Sequence, residues 1–154
     1  MDDITIARAV HVLSVLLWIG GVAFVTLVVM PSIAHAHAPD RRLGTFHQLE
    51  GRFASQARIW VLLAGVSGFW MIDRGHMWDR FVDPRFWWMH AMLGIWVIFA
   101  AMLFVIEPLF LHRRMSNSNC PADDFRRMQR IHRMLLALAI VTVLGAVAGS
   151  HGLL

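Results

Sequence analysis

Apolar residues run almost without a break from Ile4 to Met30 and return in three later stretches, separated by short segments that collect most of the charge. At a rise of about 1.5 Å per helical residue, the first run is long enough to cross a hydrocarbon core of about 30 Å. It is read as a helix from Ile4 to about Ala34, with Pro31 expected to kink or close it because proline has no N–H to donate. A second helix is expected to open at Thr45, which stands to Gln48 as in a capping box. Its early turns carry His47, Glu50, Arg52 and Arg58, so only residues 59–72 are continuously apolar, and Asp73, Arg74 and Gly75 end it. The third helix has the clearest start, since Asp83 can cap it while Pro84 takes a first position that needs no donor. It is read to about Arg114, with a bend near Pro108. Pro121 opens the fourth helix, Asp123 and Asp124 complement the dipole of its first turn, and the glycines at 149 and 152 close it. The pattern predicts an all-α fold, an integral membrane four-helix bundle forming one domain over residues 1–154, with spans at about 4–30, 50–72, 86–111 and 130–149.

Composition agrees, with 58% hydrophobic residues and a mean hydropathy of +0.58. All 14 basic side chains are arginine, and the absence of lysine removes Schiff-base and lysine general-base chemistry. The single cysteine, Cys120, excludes an intramolecular disulfide and the CxxCH attachment of c-type haem. No GxSxG, P-loop or HExxH pattern is present. Asp2, Asp3 and Arg8 do not make the basic leader of a secretory signal, so the first span is expected to stay in the mature protein.

The net charge of +4 is explained by topology rather than by nucleic acid, which is not an expected partner. Arg41, Arg42, Arg52, Arg58, Arg113, Arg114, Arg126, Arg127, Arg130 and Arg133 gather at the side of the first and third connections; Arg8, Arg74, Arg80 and Arg85 lie at the other. Positive charge marks the cytoplasmic side. The expected location is therefore a bacterial inner membrane, crossed several times, with both termini periplasmic and with Trp70, Trp78, Trp87 and Trp88 as an outer aromatic belt. The arginine ring is expected to anchor on anionic membrane lipid.

Histidines carry the candidate chemistry. His11 and His90 lie a turn or two inside the outer ends of two helices that run in the same direction, at similar depth. A b-type haem needs two axial nitrogens approaching from opposite faces and a cationic edge for its propionates. His11 and His90 are the candidate iron ligands, Arg8 the candidate propionate partner, and Trp18 lines the slot on the same face as His11. Gly20, Gly21 and Gly94 are expected to let helices approach closely there. His47 and His132, among arginines at the inner ends, are candidates for a second haem, a quinone head group or a porphyrin, and His35 and His37 beside Asp40 for copper. Glu50 and Glu107 are expected to pair with arginine.

The stretch from His11 to Gly21, read as H-x6-W-x-G-G, resembles the first span of CopD-type copper-resistance membrane domains and of HemJ-type protoporphyrinogen IX oxidases. Residues 46–53 resemble the start of the second helix of the latter, Trp88-Met89-His90-Ala91-Met92-Leu93 its third-helix histidine segment, and Phe125-Arg126-Arg127-Met128 the opening of its last helix. The sequence departs at Met92, where those oxidases carry lysine, and at residues 129–133, where they carry an Asn-Glu pair. The resemblance implies a four-helix membrane protein that binds haem b and handles electrons, with His11 as the carried-over ligand. The leading expectation is therefore a haem b electron-transfer protein. Its alternatives are a protoporphyrinogen oxidase-like membrane oxidoreductase and a copper transport or resistance protein. Expected partners are lipid, a quinone, a porphyrin, a redox partner protein, and further copies of the chain or a larger complex.

Overall fold

The structure, a computed structural model, describes residues 3–106 and 120–151. Four long helices account for it: α1 (Asp3–Ala36), α2 (Arg42–Arg74), α3 (Pro84–Ile106) and α4 (Pro121–Ser150), with a short 3-10 turn (Trp78–Phe81) between α2 and α3. They run alternately up and down. Arg74 at the end of α2 meets Asp3 at the start of α1 at 3.5 Å, whereas Phe46 near the start of α2 stacks on Phe125 near the start of α4. One end of the bundle therefore holds both termini, and the other holds the arginine-rich turns of α2 and α4.

α1, α3 and α4 are long and apolar enough to cross a membrane. α2 is not among them, although it runs for 33 residues. Its apolar run over residues 59–72 spans only about 21 Å at 1.5 Å per residue, short of the roughly 30 Å a bilayer core needs. Its polar side chains turn instead to its neighbours: Glu50 to His47 and His132, and Arg58 to the carbonyl of Leu103 at 3.1 Å.

Several expected boundaries hold. Asp83 accepts the Arg85 N–H at 2.9 Å ahead of Pro84, Pro121 opens α4, and Gly75 follows the last residue of α2. The Arg85 guanidinium on the Asp83 carboxylate holds that carboxyl below its ordinary range. Others differ. α2 starts a turn earlier than the capping box implies, and the Thr45 hydroxyl donates back to the Arg41 carbonyl inside the helix, 3.1 Å away. α1 does not close at Pro31 but continues to Ala36 by widening to a π turn over Val25–Val29, where the Met30 N–H reaches the Val25 carbonyl. The wider turn reroutes the hydrogen bonds around a residue that cannot donate. A second π turn covers Met102–Ile106, and Arg58 supplies a side-chain donor to one of its carbonyls. The bend expected at Pro108, together with Glu107, His112, Arg113 and Arg114, lies outside the described residues.

The core has two parts. Trp18, Val61, Ile95, Phe99, Leu136 and Ala139 fill the middle, where Trp18 meets Phe99 edge-on at 5.0 Å; Met30, Ile33, Phe46 and Phe125 fill the arginine-rich end. Close helix approach comes from one of the expected glycines, Gly21, and from others that the pattern did not single out. A Cβ at Gly149 would fall inside the Trp88 indole and one at Gly145 inside that of Trp87, so this G-x-x-x-G face of α4 receives two indoles from α3. Trp88 is therefore buried packing rather than part of a surface belt, while Trp70, Trp78 and Trp87 remain exposed. Gly20 and Gly94 face open space; Gly21 packs against Phe53.

Candidate functional site

Two sets of polar side chains enter the bundle, one in each half. In the half that holds the termini, His11 of α1 turns to α2. Its Nδ1 lies 2.9 Å from the Ala64 carbonyl and 3.2 Å from the Ser67 hydroxyl. A carbonyl only accepts, so Nδ1 carries the proton and Nε2 keeps its lone pair. Ser67 is itself fixed by donating to the Leu63 carbonyl. The imidazole also rests on Gly68, where an added Cβ would lie 3.2 Å from its Cε1.

His90 is arranged differently. It is exposed, and its Nε2 donates to the Phe81 carbonyl at 3.0 Å, a group left free at the end of the 3-10 turn. His11 and His90 thus close on different backbone carbonyls, one inside the α1–α2 seam and one on the α2–α3 connection. Arg8 is exposed. One cation at this end with defined partners is Arg74, joined to Asp3 and lying 5.2 Å over the Trp70 ring. Between α1 and α2 a surface groove of about 370 Å³ is lined by Ala7, Val10, Leu63, Val66, Ser67 and Trp70.

The arginine-rich half brings together three residues from two helices. Glu50 lies 3.5 Å from Nδ1 of His47, one turn earlier on α2, and 3.8 Å from Nε2 of His132 on α4. His132 donates Nδ1–H to the Met128 carbonyl at 3.1 Å, so its neutral form turns a lone pair toward the Glu50 carboxylate. The contact is attractive only when a proton lies on one of the two groups. The Phe46 ring stands edge-on to His132 at 5.6 Å. Nδ1 of His47 is buried without a hydrogen-bond partner. Glu50 therefore pairs with histidines, not with arginine as expected.

Beside this cluster lies a partly open cavity of about 60 Å³, whose lining includes Trp18, Ala57, Phe99, Leu135, Glu50 and His132. Trp18 is 3% exposed, and its indole N–H has no acceptor. A buried donor left unpaired costs about 1–3 kcal/mol. The contrast with its neighbours is sharp: Ser14, Thr26 and Thr142 each donate to the carbonyl four residues back, and Trp96 donates to the Val61 carbonyl at 2.8 Å.

No family model, curated protein or solved structure matches this chain. Function is therefore argued from the residues. Among the described residues no group of three or more His, Cys, Asp or Glu side chains is arranged to hold a bare metal ion. His35 donates to the Pro31 carbonyl of its own helix at 2.7 Å, and Arg42 donates to the His37 carbonyl at 2.9 Å. The sequence pattern singled out His11, His47, His132 and Trp18 but missed two partners. The Ala64 carbonyl has no sequence signature, being backbone. Glu50 was legible as the i+3 neighbour of His47, but its approach to His132 depends on helix packing.

Proposed function

We propose that this chain is an integral protein of a bacterial cell membrane that binds haem b through His11 and passes electrons. The observation that carries the reading is the bond from His11 Nδ1–H to the Ala64 carbonyl. Metal-ligating histidines are held by such an acceptor, which fixes the tautomer and leaves Nε2 to bind. His90 does not fit as the opposing ligand, because its ring is exposed and its Nε2 already serves Phe81. The cavity of about 60 Å³ is far smaller than ordinary cofactor sites of about 300–1,000 Å³, whereas the groove of about 370 Å³ beside Ser67 is within that range. Arg74, which meets Asp3 of the groove lining, rather than Arg8, is the candidate to balance carboxylates. Haem held there would supply one-electron chemistry at iron, and the Ala64 carbonyl and Ser67 hydroxyl would orient the His11 imidazole.

The test is an optical spectrum of protein purified in detergent and supplied with haemin. Wild type is expected to show reduced-minus-oxidised bands of haem b, His11→Ala to lose them, and His90→Ala to keep them. A wild-type protein that takes up no haem, or a His11→Ala variant with unchanged bands, overturns the reading.

The orientation we propose follows from the arginines: their excess at the end of the bundle away from the termini favours the cytoplasmic side for that end by the positive-inside rule. Cys120, exposed at the start of α4, is the natural reporter because it is the chain's one cysteine. A membrane-impermeant maleimide is expected to leave it unlabelled in intact cells and to label it after lysis; labelling in intact cells would reverse the topology.

A further inference from the structure

We infer that the outward face of α2 around Gln56 is the surface through which two copies of this chain pair inside the membrane. Gln48, Gly51, Arg52, Ser55 and Gln56 are all exposed and fall on one side of α2, because positions three, four and seven apart share a helix face. Depth makes that side anomalous. Phe53 packs on Gly21 of α1 and Arg58 reaches the Leu103 carbonyl of α3, so Ser55 and Gln56, which lie between them, are level with those two residues. On α4 the same level falls between His132, which meets Glu50, and Ala139, which shares a core cluster with Val61. Around it the other helices turn large apolar side chains outward: Phe24 of α1, Phe104 and Val105 of α3, and Met134 and Leu138 of α4. Counted from Asp3, Gly21 lies about 27 Å along α1 at about 1.5 Å per residue, inside a hydrocarbon core of about 30 Å. At this level the three neighbours face lipid, whereas α2 turns an amide and a hydroxyl to it.

The chemistry of the face selects its occupant. Lipid chains offer a polar side chain no hydrogen bond, so such a group inside a membrane turns to protein. The Ser55 hydroxyl already donates to the Gly51 carbonyl one turn back at 3.0 Å, but the Gln56 amide has no partner among the described residues. An amide carries donors and an acceptor in one group, which makes it complementary to itself. Across a two-fold axis each Gln56 donates to the side-chain oxygen of the other copy's Gln56, and both are satisfied. Gly51 and Ser55 add little bulk beside it, and a Cβ at Gly51 would meet nothing within 4 Å, so a second α2 can approach closely. Arg52 lies one turn toward the arginine-rich end, at the edge of the core, where its guanidinium reaches lipid phosphate and two like charges are not held together in hydrocarbon. The pairing rests on the reading that the chain spans a membrane and is independent of haem at His11, whose partners Ala64 and Ser67 lie further along α2.

Energy transfer tests it on the full-length protein, labelled at Cys120 with donor or acceptor dye and reconstituted in vesicles of phosphatidylcholine and phosphatidylglycerol. Transfer is expected to follow the acceptor fraction as for a dimer and to fall only as the protein is diluted in lipid. Gln56→Leu keeps the size of the side chain and removes the amide, and is expected to weaken the dimer roughly tenfold through the loss of two interhelical hydrogen bonds. With Cys120→Ser as background, Ser55→Cys is expected to cross-link on oxidation in native membranes to a species of twice the mass. Leu138→Cys, exposed at similar depth on α4, is expected to remain single. A wild type that stays monomeric at every dilution, a Gln56→Leu protein that associates as tightly as wild type, or equal cross-linking at the two cysteines overturns the pairing. Extraction with alkaline carbonate separates this failure from that of the membrane reading. Protein washed off the membrane overturns both, and protein retained there without a dimer overturns the pairing alone.

Discussion

Replacing Trp18 with alanine is expected to destabilise the bundle by about 3 kcal/mol, the low end of the range for a buried aromatic cut back to a methyl group. The low end applies because lipid, unlike water, also solvates apolar surface, so the loss comes mainly from dispersion and from the void left behind. Trp18 touches the whole central core: it stands edge-on to Phe99 and packs with Val22, Val61 and Ile95. Trp18→Phe keeps most of that contact and removes the unpaired N–H, so its cost is expected to stay below about 1.5 kcal/mol. Reversible unfolding in mixed detergent micelles measures both. An alanine variant as stable as the phenylalanine variant would show that the ring does not hold the core.

Glycine substitutions are expected to split by sign. Gly149→Leu must expel the Trp88 indole, which is 7% exposed, and is expected to cost about 3 kcal/mol, the upper end for overpacking. Gly94→Ala meets open space on a helix face and is expected to stabilise by about 0.5–1 kcal/mol, since alanine loses less backbone freedom on folding. The same unfolding assay reads both variants. Equal effects would mean that α3 and α4 do not interlock through Trp88.

The helices themselves were largely legible, because each is long, strongly apolar and bounded by residues with one physical use. Asp83 and Pro84, Pro121, and Gly75 all act where expected. Local grammar failed where a neighbour overrode it. Leu43 and Phe46 pack into the end of the core, which carries α2 back to Arg42 and leaves the Thr45 cap inside the helix. The sites were legible only in part. Depth along the chain placed His11 and His90 level with each other, but depth says nothing of the direction around a helix. That direction is set by acceptors such as the Ala64 and Phe81 carbonyls, which no side-chain pattern announces. The pairing of His47 and His132 through Glu50 came from two helices whose register only packing fixes.

The two π turns give the bundle unequal stiffness along its length. Near the termini, indoles seated in glycine notches clamp α3 to α4, whereas at the opposite end both α1 and α3 pass through a widened turn. A widened turn bends more easily than a regular one, so thermal breathing concentrates around the cavity mouth. The indoles tie one end and the Phe46–Phe125 contact ties the other, so the added give of the bundle lies at the two widened turns themselves.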